Sequence, residues 1–400
     1  MILSKKPLAK ILSGNAFAQI FVIFTLPFLT RIYSVDDFGK LGLINGVLLI
    51  VGVVSCLRYD QIIFNFNDKE KWSECFVLGL SCSIIFFILS SIIIHISVKY
   101  FGVYSGFYIF PFALLFFSIT QMYSALLSVN KQYVNITKSV IIKVIFTFVS
   151  QYVLGLLQVK FALIYGLLLG LVFQSIYMIK VNSLSLKISR NPIKIKDALL
   201  STTQSLFNSI SSQIPTIFIP VKYGFEVMGY YSMALRLTYL PITFISNAIR
   251  PFILGELNEN RNNKDDIQKT LVLGSVFLLL IAFLGYMLIY LFSEKFFVIY
   301  AGENWAISGE IASILGLWVL SAFANIIATS FLTVFSKFKQ LLFYDSIFLI
   351  SRSGVVLVCI YYDLMFMDFL LYYSLVGMAF NLYIVLYSMW LSKNEENIYC

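Results

Sequence analysis

Apolar residues in this chain fall in runs of about 20, separated by short segments that hold charge and turn-forming residues. A helix rises ~1.5 Å per residue, so such a run crosses a hydrocarbon core of ~30 Å. The pattern predicts twelve membrane-spanning helices, at approximately residues 10–31, 39–60, 74–98, 107–129, 139–159, 161–180, 198–221, 226–250, 268–292, 307–333, 340–361 and 367–391. These runs are about twice the length of a barrel strand, and lipid cannot solvate an open sheet edge. The expected fold class is therefore an all-α integral membrane protein. Pro27, Pro111, Pro215, Pro220 and Pro241 fall inside runs, where kinks or breaks are expected.

The polar segments between the runs alternate in charge. With the N-terminus in the cytoplasm, twenty-one of the 29 Lys and Arg face that side, and six (Arg31, Lys40, Lys99, Lys160, Lys222 and Lys295) face the other. Cytoplasmic loops are enriched in these residues. Adding or dropping a span would invert every later loop, so the asymmetry supports the helix count and two cytoplasmic termini together.

The longest polar and basic connection, residues 183–196, reads as a cytoplasmic linker between six-helix lobes at 1–182 and 197–400. At an offset of 190, Asp37-Phe38-Gly39-Lys40-Leu41 is weakly echoed by Val227-Met228-Gly229-Tyr230-Tyr231. Two six-helix lobes have the same orientation in the membrane. They imply a pseudo-two-fold axis along the membrane normal, the plan of an alternating-access transporter.

Composition narrows the function classes. The chain is 60% hydrophobic and 12% charged, with mean hydropathy +0.87, whereas soluble domains carry about 25% charged residues. Its net charge of +9 is dispersed through loops and forms no basic domain, which points to a membrane surface and away from nucleic acid. Cys56, Cys75, Cys82, Cys359 and Cys400 have neither metal-ligand nor disulfide-framework spacing. Lys5, Lys6 and Lys10 precede Ala16-Phe17-Ala18, which looks like a signal-peptidase site, but the apolar stretch mostly follows it. The expectation is an uncleaved first span.

His95 is the single histidine, and no serine, histidine and carboxylate share a depth; neither a metal constellation nor a phosphate-cradling glycine motif occurs. No catalytic residue, metal or cofactor is expected. The informative residues are those costly at their depth. Arg236 and Arg352 lie about ten and twelve residues into their runs, near the midplane, where each costs about 2.5 to 3.5 kcal/mol or more unless it meets water or a partner.

Arg236 and Arg250 are fourteen residues apart, close to four helical turns, so they share a face. Arg58 and Arg250 low, Arg236 and Arg352 in the middle and Arg31 high form a ladder of guanidinium groups, whose planar forks suit phosphate. These five are the expected substrate-binding residues. The structural alternative is ion pairing: Asp60 is two residues from Arg58, and Asp345 is seven residues before Arg352 on nearly the same face. Asp60 and Asp345 are also the acids available for ion coupling.

Further residues carry a family likeness. Pro27-Phe28-Leu29-Thr30-Arg31-Ile32-Tyr33 with Asp37-Phe38-Gly39, then Leu57-Arg58-Tyr59-Asp60, are followed in the second half by Gly229-Tyr230-Tyr231, Ala234-Leu235-Arg236-Leu237 and Leu240-Pro241. With these motifs the chain resembles the Wzx-type O-antigen flippases of the multidrug/oligosaccharidyl-lipid/polysaccharide exporter superfamily. The resemblance implies a two-lobed fold of twelve helices with a central cationic cavity, in a bacterial inner membrane. It implies an undecaprenyl-pyrophosphate-linked oligosaccharide as substrate, turned from the cytoplasmic to the periplasmic leaflet. Polysaccharide polymerase and chain-length regulator are the implied protein partners. Cavity arginines carry over most directly to Arg58 and Arg236, with Arg31, Arg250 and Arg352 as further candidates.

Two other readings compete. A multidrug exporter of the same superfamily would use a carboxylate in the N-terminal lobe, yet no acid occurs from Ala9 to Thr30. A polysaccharide polymerase would be expected to have a large outer loop, and the longest here, near 293–306, is about a dozen residues. An acyltransferase would need a histidine in a catalytic setting, which His95 lacks.

Overall fold

The computed structural model describes residues 5–66, 68–102, 104–182, 195–260, 263–335 and 337–394; of the expected linker, residues 183–194 lie outside these described residues. Helices dominate, and the described residues contain no strand. In the first half they are α1 (Lys5–Thr30), α2 (Val35–Ser55), the short α3 (Tyr59–Ile62), α4 (Lys69–Phe101), α5 (Phe110–Val129), α6 (Tyr133–Leu156) and α7 (Ala162–Val181). There follow α8 (Ile195–Lys222), α9 (Gly224–Glu259), α10 (Lys264–Ala301), α11 (Ala306–Val334), α12 (Phe338–Tyr361) and α13 (Phe366–Asn394). Each predicted apolar run is centred on a long helix of its own.

Local chemistry fixes several ends. Ser34 caps α2 in a reciprocal box with Asp37, each side chain serving the other residue's backbone N–H. Asp68 caps α4, which stops at Gly102, where φ is +64°. Asn263 caps α10, with Asp265 and Asp266 in the first turn favourably placed for the helix dipole. Pro111 falls in the opening turn of α5, where its missing N–H costs nothing, so the expected kink there is absent. The second predicted run is interrupted: α2 stops at Ser55 and the chain turns through Leu57 and Arg58 at positive φ.

Two compact units are formed, Met1–Ile217 and Phe218–Cys400, dividing within α8. Most of α8 groups with the first unit because it approaches α2 closely. Ser209 donates to the Leu49 carbonyl at 3.1 Å, and a Cβ at Gly46 would collide with the Thr216 side chain. Inside this unit α5 packs on α2, α4 and α7, and α6 lies against α1 and α7. In the second unit α11 is central, packed by α9, α10 and α13, with Leu315, Val319, Phe323 and Ile327 buried. The outer surface is apolar; on α10 alone Phe277, Leu280, Leu284, Leu288 and Leu291 are exposed, as lipid-facing residues must be.

Among the described residues, nine helices are long and apolar enough to cross a membrane. Of the other long helices, α1 has an apolar but shorter stretch, Ala16–Thr30, and the remaining two are α8 and α9. The polarity of α8 and α9 has a clear origin: α8 carries Thr202, Asn208, Ser209, Ser212, Gln213 and Thr216, and α9 carries Arg236 and Arg250. A multi-pass membrane protein that keeps such helices has a use for polar surface at depth.

Candidate substrate-binding arginines

In the first unit the break after α2 positions Arg58. A non-glycine residue in the left-handed region costs ~1 to 2 kcal/mol, and here Leu57 and Arg58 adopt it in succession, at φ +46° and +53°. The strained turn places the guanidinium Nη1 3.6 Å from Asp60 Oδ2. That separation makes an ion pair, longer than the ~2.7 to 2.9 Å of a charge-assisted hydrogen bond. Asp60 Oδ1 accepts from Cys56 Sγ at 3.5 Å, and Cys56 also reaches Gln121 Oε1 at 3.5 Å. Arg58 Nε is buried without a hydrogen-bond partner. Arg58 therefore keeps donor capacity beyond its acid. The Arg58–Asp60 pair is thus present, and Arg31 is exposed in the turn after α1.

In the second unit α9 is two-faced. Met228, Tyr231, Ala234, Thr238 and Ile242 are buried at spacings of three and four. The opposite face carries Ser232, Arg236, Tyr239, Thr243 and Arg250, and both arginines are exposed. Arg236 lies twelve residues from the start of α9, about 18 Å along the axis. Its charge is near Tyr300 of α10, and the side chain is accessible although protein atoms surround it densely.

Arg352 is different. Its side chain is 1% exposed and its guanidinium carbon lies 4.0 Å from the Phe348 ring centre, 4.2 Å from that of Trp318 and 4.3 Å from that of Tyr373. A weakly hydrated, planar cation is suited to such a cage. Asn381 secures the neighbouring helices: it donates to the Trp318 carbonyl at 3.2 Å and Ser321 Oγ at 2.9 Å, and accepts from Asn325 at 2.8 Å. Gly377 makes the cage compact, since a methyl there would meet the Trp318 ring and lie 2.9 Å from Arg352 Nη2. Asp345, on the same helix, is half-buried.

The cage rings escaped the sequence reading because Trp318, Phe348 and Tyr373 come from three helices and only tertiary packing joins them. Among the described residues no group of three or more His, Cys, Asp or Glu is arranged to hold a metal ion.

A sequence model described as "Polysaccharide biosynthesis protein" matches residues 28–310. The chain belongs to that family. No curated protein matches it significantly. Among solved structures, an inward-facing multidrug resistance MATE family transporter of the MOP superfamily superposes with TM-score 0.75 at 13% identity, covering 94% of this chain and 96% of that one. The lipid II flippase MurJ in an inward closed conformation gives TM-score 0.71 at 15% identity, covering 94% and 87%. A MOP superfamily transporter from Pyrococcus furiosus, for which reverse polarity of the binding pocket suggests a different function, gives 0.61 at 12%, covering 97% and 95%. This polysaccharide biosynthesis protein thus has the MOP transporter fold. Of these three structures, the two of highest TM-score are a transporter and a flippase.

Proposed function

We propose that the protein is a flippase that carries an undecaprenyl-pyrophosphate-linked oligosaccharide, an O-antigen or capsule repeat unit, from the cytoplasmic to the periplasmic leaflet by alternating access. The observation that carries this reading is Arg236: a permanent cation, accessible at depth in a transporter fold of the polysaccharide biosynthesis family. A diphosphate bears the charge that offsets such a residue and the oxygens its fork can grip. Arg250 on the same face, and Arg58 and Arg31 in the first unit, supply further cationic positions along the route. Arg352, enclosed by rings, acts by shaping the second unit.

In this reading all twelve long helices cross a bacterial inner membrane in two lobes related along the membrane normal. Both termini are cytoplasmic, and the product passes to a polysaccharide polymerase and chain-length regulator. The loop charges support the orientation. A reporter fused after Lys264 should score as cytoplasmic and one after Lys99 as periplasmic; reversed signals would refute the orientation.

Export of cationic drugs with ion coupling is the less favoured reading. Asp60, an acid of the first unit near the end of the second run, already faces Arg58, which makes it a poor site for a second cation. Deleting the gene tests the choice. The expected phenotype is loss of surface polysaccharide with lipid-linked repeat units accumulating on the cytoplasmic leaflet. A strain with normal polysaccharide and raised drug sensitivity would favour the exporter.

A further inference from the structure

Within the second unit a groove of about 680 Å³ runs between α9 and α10, with Ile327 of α11 as its floor. Each wall is one helix face: Ile253 and Glu256 on α9, and Asp266, Lys269, Leu273 and Phe277 on α10, at spacings of three and four. Both faces change from apolar to charged toward the end where α9 stops and α10 begins. Leu273 and Phe277 are 58% and 62% exposed, so the apolar end opens on the lipid-facing surface. A cleft there is filled by a lipid chain, since leaving it empty forfeits contacts along its length.

The charged end selects the headgroup. It is lined by two carboxylates, Glu256 and Asp266, and one ammonium, Lys269; Glu256 is half-buried, and Asp266 and Lys269 are exposed. Among the described residues no ion pair joins Lys269 to either acid, although Asp266 lies one turn before it. Glu256 accepts from Thr270 at 3.3 Å and Asp266 from Asn263 at 2.6 Å, through one oxygen each, which leaves each carboxylate its second oxygen. A ligand that carries an anion and an ammonium a few atoms apart bridges all three charges. An anionic headgroup would meet Lys269 but face two carboxylates, and a trimethylammonium has no N–H to give them.

We propose that this groove holds a phospholipid with a primary-ammonium headgroup, phosphatidylethanolamine. Its phosphate rests on Lys269, its ammonium donates to Glu256 and Asp266, and an acyl chain follows Leu273 and Phe277. The headgroup spans the gap between charges that do not pair with each other, and the chain covers a face that extends about 17 Å along α10 from Asp266 to Phe277. A prenyl phosphate brings the chain and the anion without the ammonium, and so leaves both acids facing added negative charge. The site does not depend on the identity of the transported substrate.

Native mass spectrometry of the full-length protein with equal amounts of phosphatidylethanolamine, phosphatidylcholine and phosphatidylglycerol tests the assignment. Phosphatidylethanolamine should be retained in preference to both others. Glu256→Gln keeps the side-chain shape and removes one charged acceptor at a partly solvated position, so it should lower that retention about fivefold, and Lys269→Gln should do the same from the phosphate side. Undecaprenyl phosphate added at equal concentration to the unaltered protein should fail to displace the phospholipid. Equal retention of the three phospholipids, undiminished retention of phosphatidylethanolamine in Glu256→Gln or in Lys269→Gln, or displacement by undecaprenyl phosphate would each overturn the proposal.

Discussion

Arg236→Ala is expected to abolish surface polysaccharide while membrane abundance stays close to that of the unaltered protein. The side chain is exposed on the polar face of α9, opposite the buried stripe through Tyr231 and Thr238. Truncation therefore opens no cavity in the packed interior. What it removes is a charge-assisted contact with substrate phosphate, worth about 1.5 to 3 kcal/mol or more at low dielectric, hence at least about tenfold in transport. Arg236→Lys should retain part of the activity, because the charge remains and the bidentate fork is lost. A purely structural Arg236 would behave differently, with both variants depleting the protein from membranes. Quantitative immunoblotting beside a polysaccharide assay separates the outcomes, and a well-expressed, fully active Ala variant would eliminate the substrate role.

The second large effect falls on stability. Arg352→Ala should lower the thermal stability of the purified protein and its level in the membrane. Three aromatic faces within 4.0 to 4.3 Å of the guanidinium lose their cation, and the cage is left with a void. Cation–π contacts in a desolvated site and the cavity together amount to about 2 to 4 kcal/mol. Arg352→Met fills most of the space without a charge to bury and should recover much of the loss. Gly377→Ala should reproduce the defect from the opposite side by driving a methyl into Trp318. The two roles thus separate by assay. Arg236 variants fail in transport at normal abundance, whereas Arg352 variants fail in abundance. An Arg352→Ala protein that melts normally and does not transport would return Arg352 to the substrate route.

Much of the fold can be read from the sequence because lipid imposes one rule, that each crossing be a self-satisfied apolar helix. The ends follow from short-range chemistry such as the Ser34–Asp37 box and the turn at Gly102. The turn at Leu57 and Arg58 was not legible, since no glycine or proline marks it and both residues pay for a left-handed conformation. Depth along a helix showed that Arg236 and Arg352 each need an explanation. It did not show which would be accessible and which enclosed, because that depends on neighbours far away in sequence. Arg352 and Trp318 are brought together by packing of α11 and α12 against α13. The pairing of Arg58 with Asp60 was foreseeable because the two are adjacent in the chain. The division within α8 was hidden for the opposite reason, as Gly46 and Thr216 are remote in sequence yet pack together.

Leaflet-resolved translocation in proteoliposomes tests the central claim most directly. The purified protein is reconstituted with a lipid-linked oligosaccharide carrying a cleavable sugar, and an impermeant glycosidase outside reports its arrival in the outer leaflet. The expected result is that the protein makes the inward-facing pool accessible and that Arg236→Ala vesicles match protein-free ones. Equal accessibility in protein-free and protein-containing vesicles, at confirmed incorporation, would contradict the assignment of the protein as a flippase for this class of lipid.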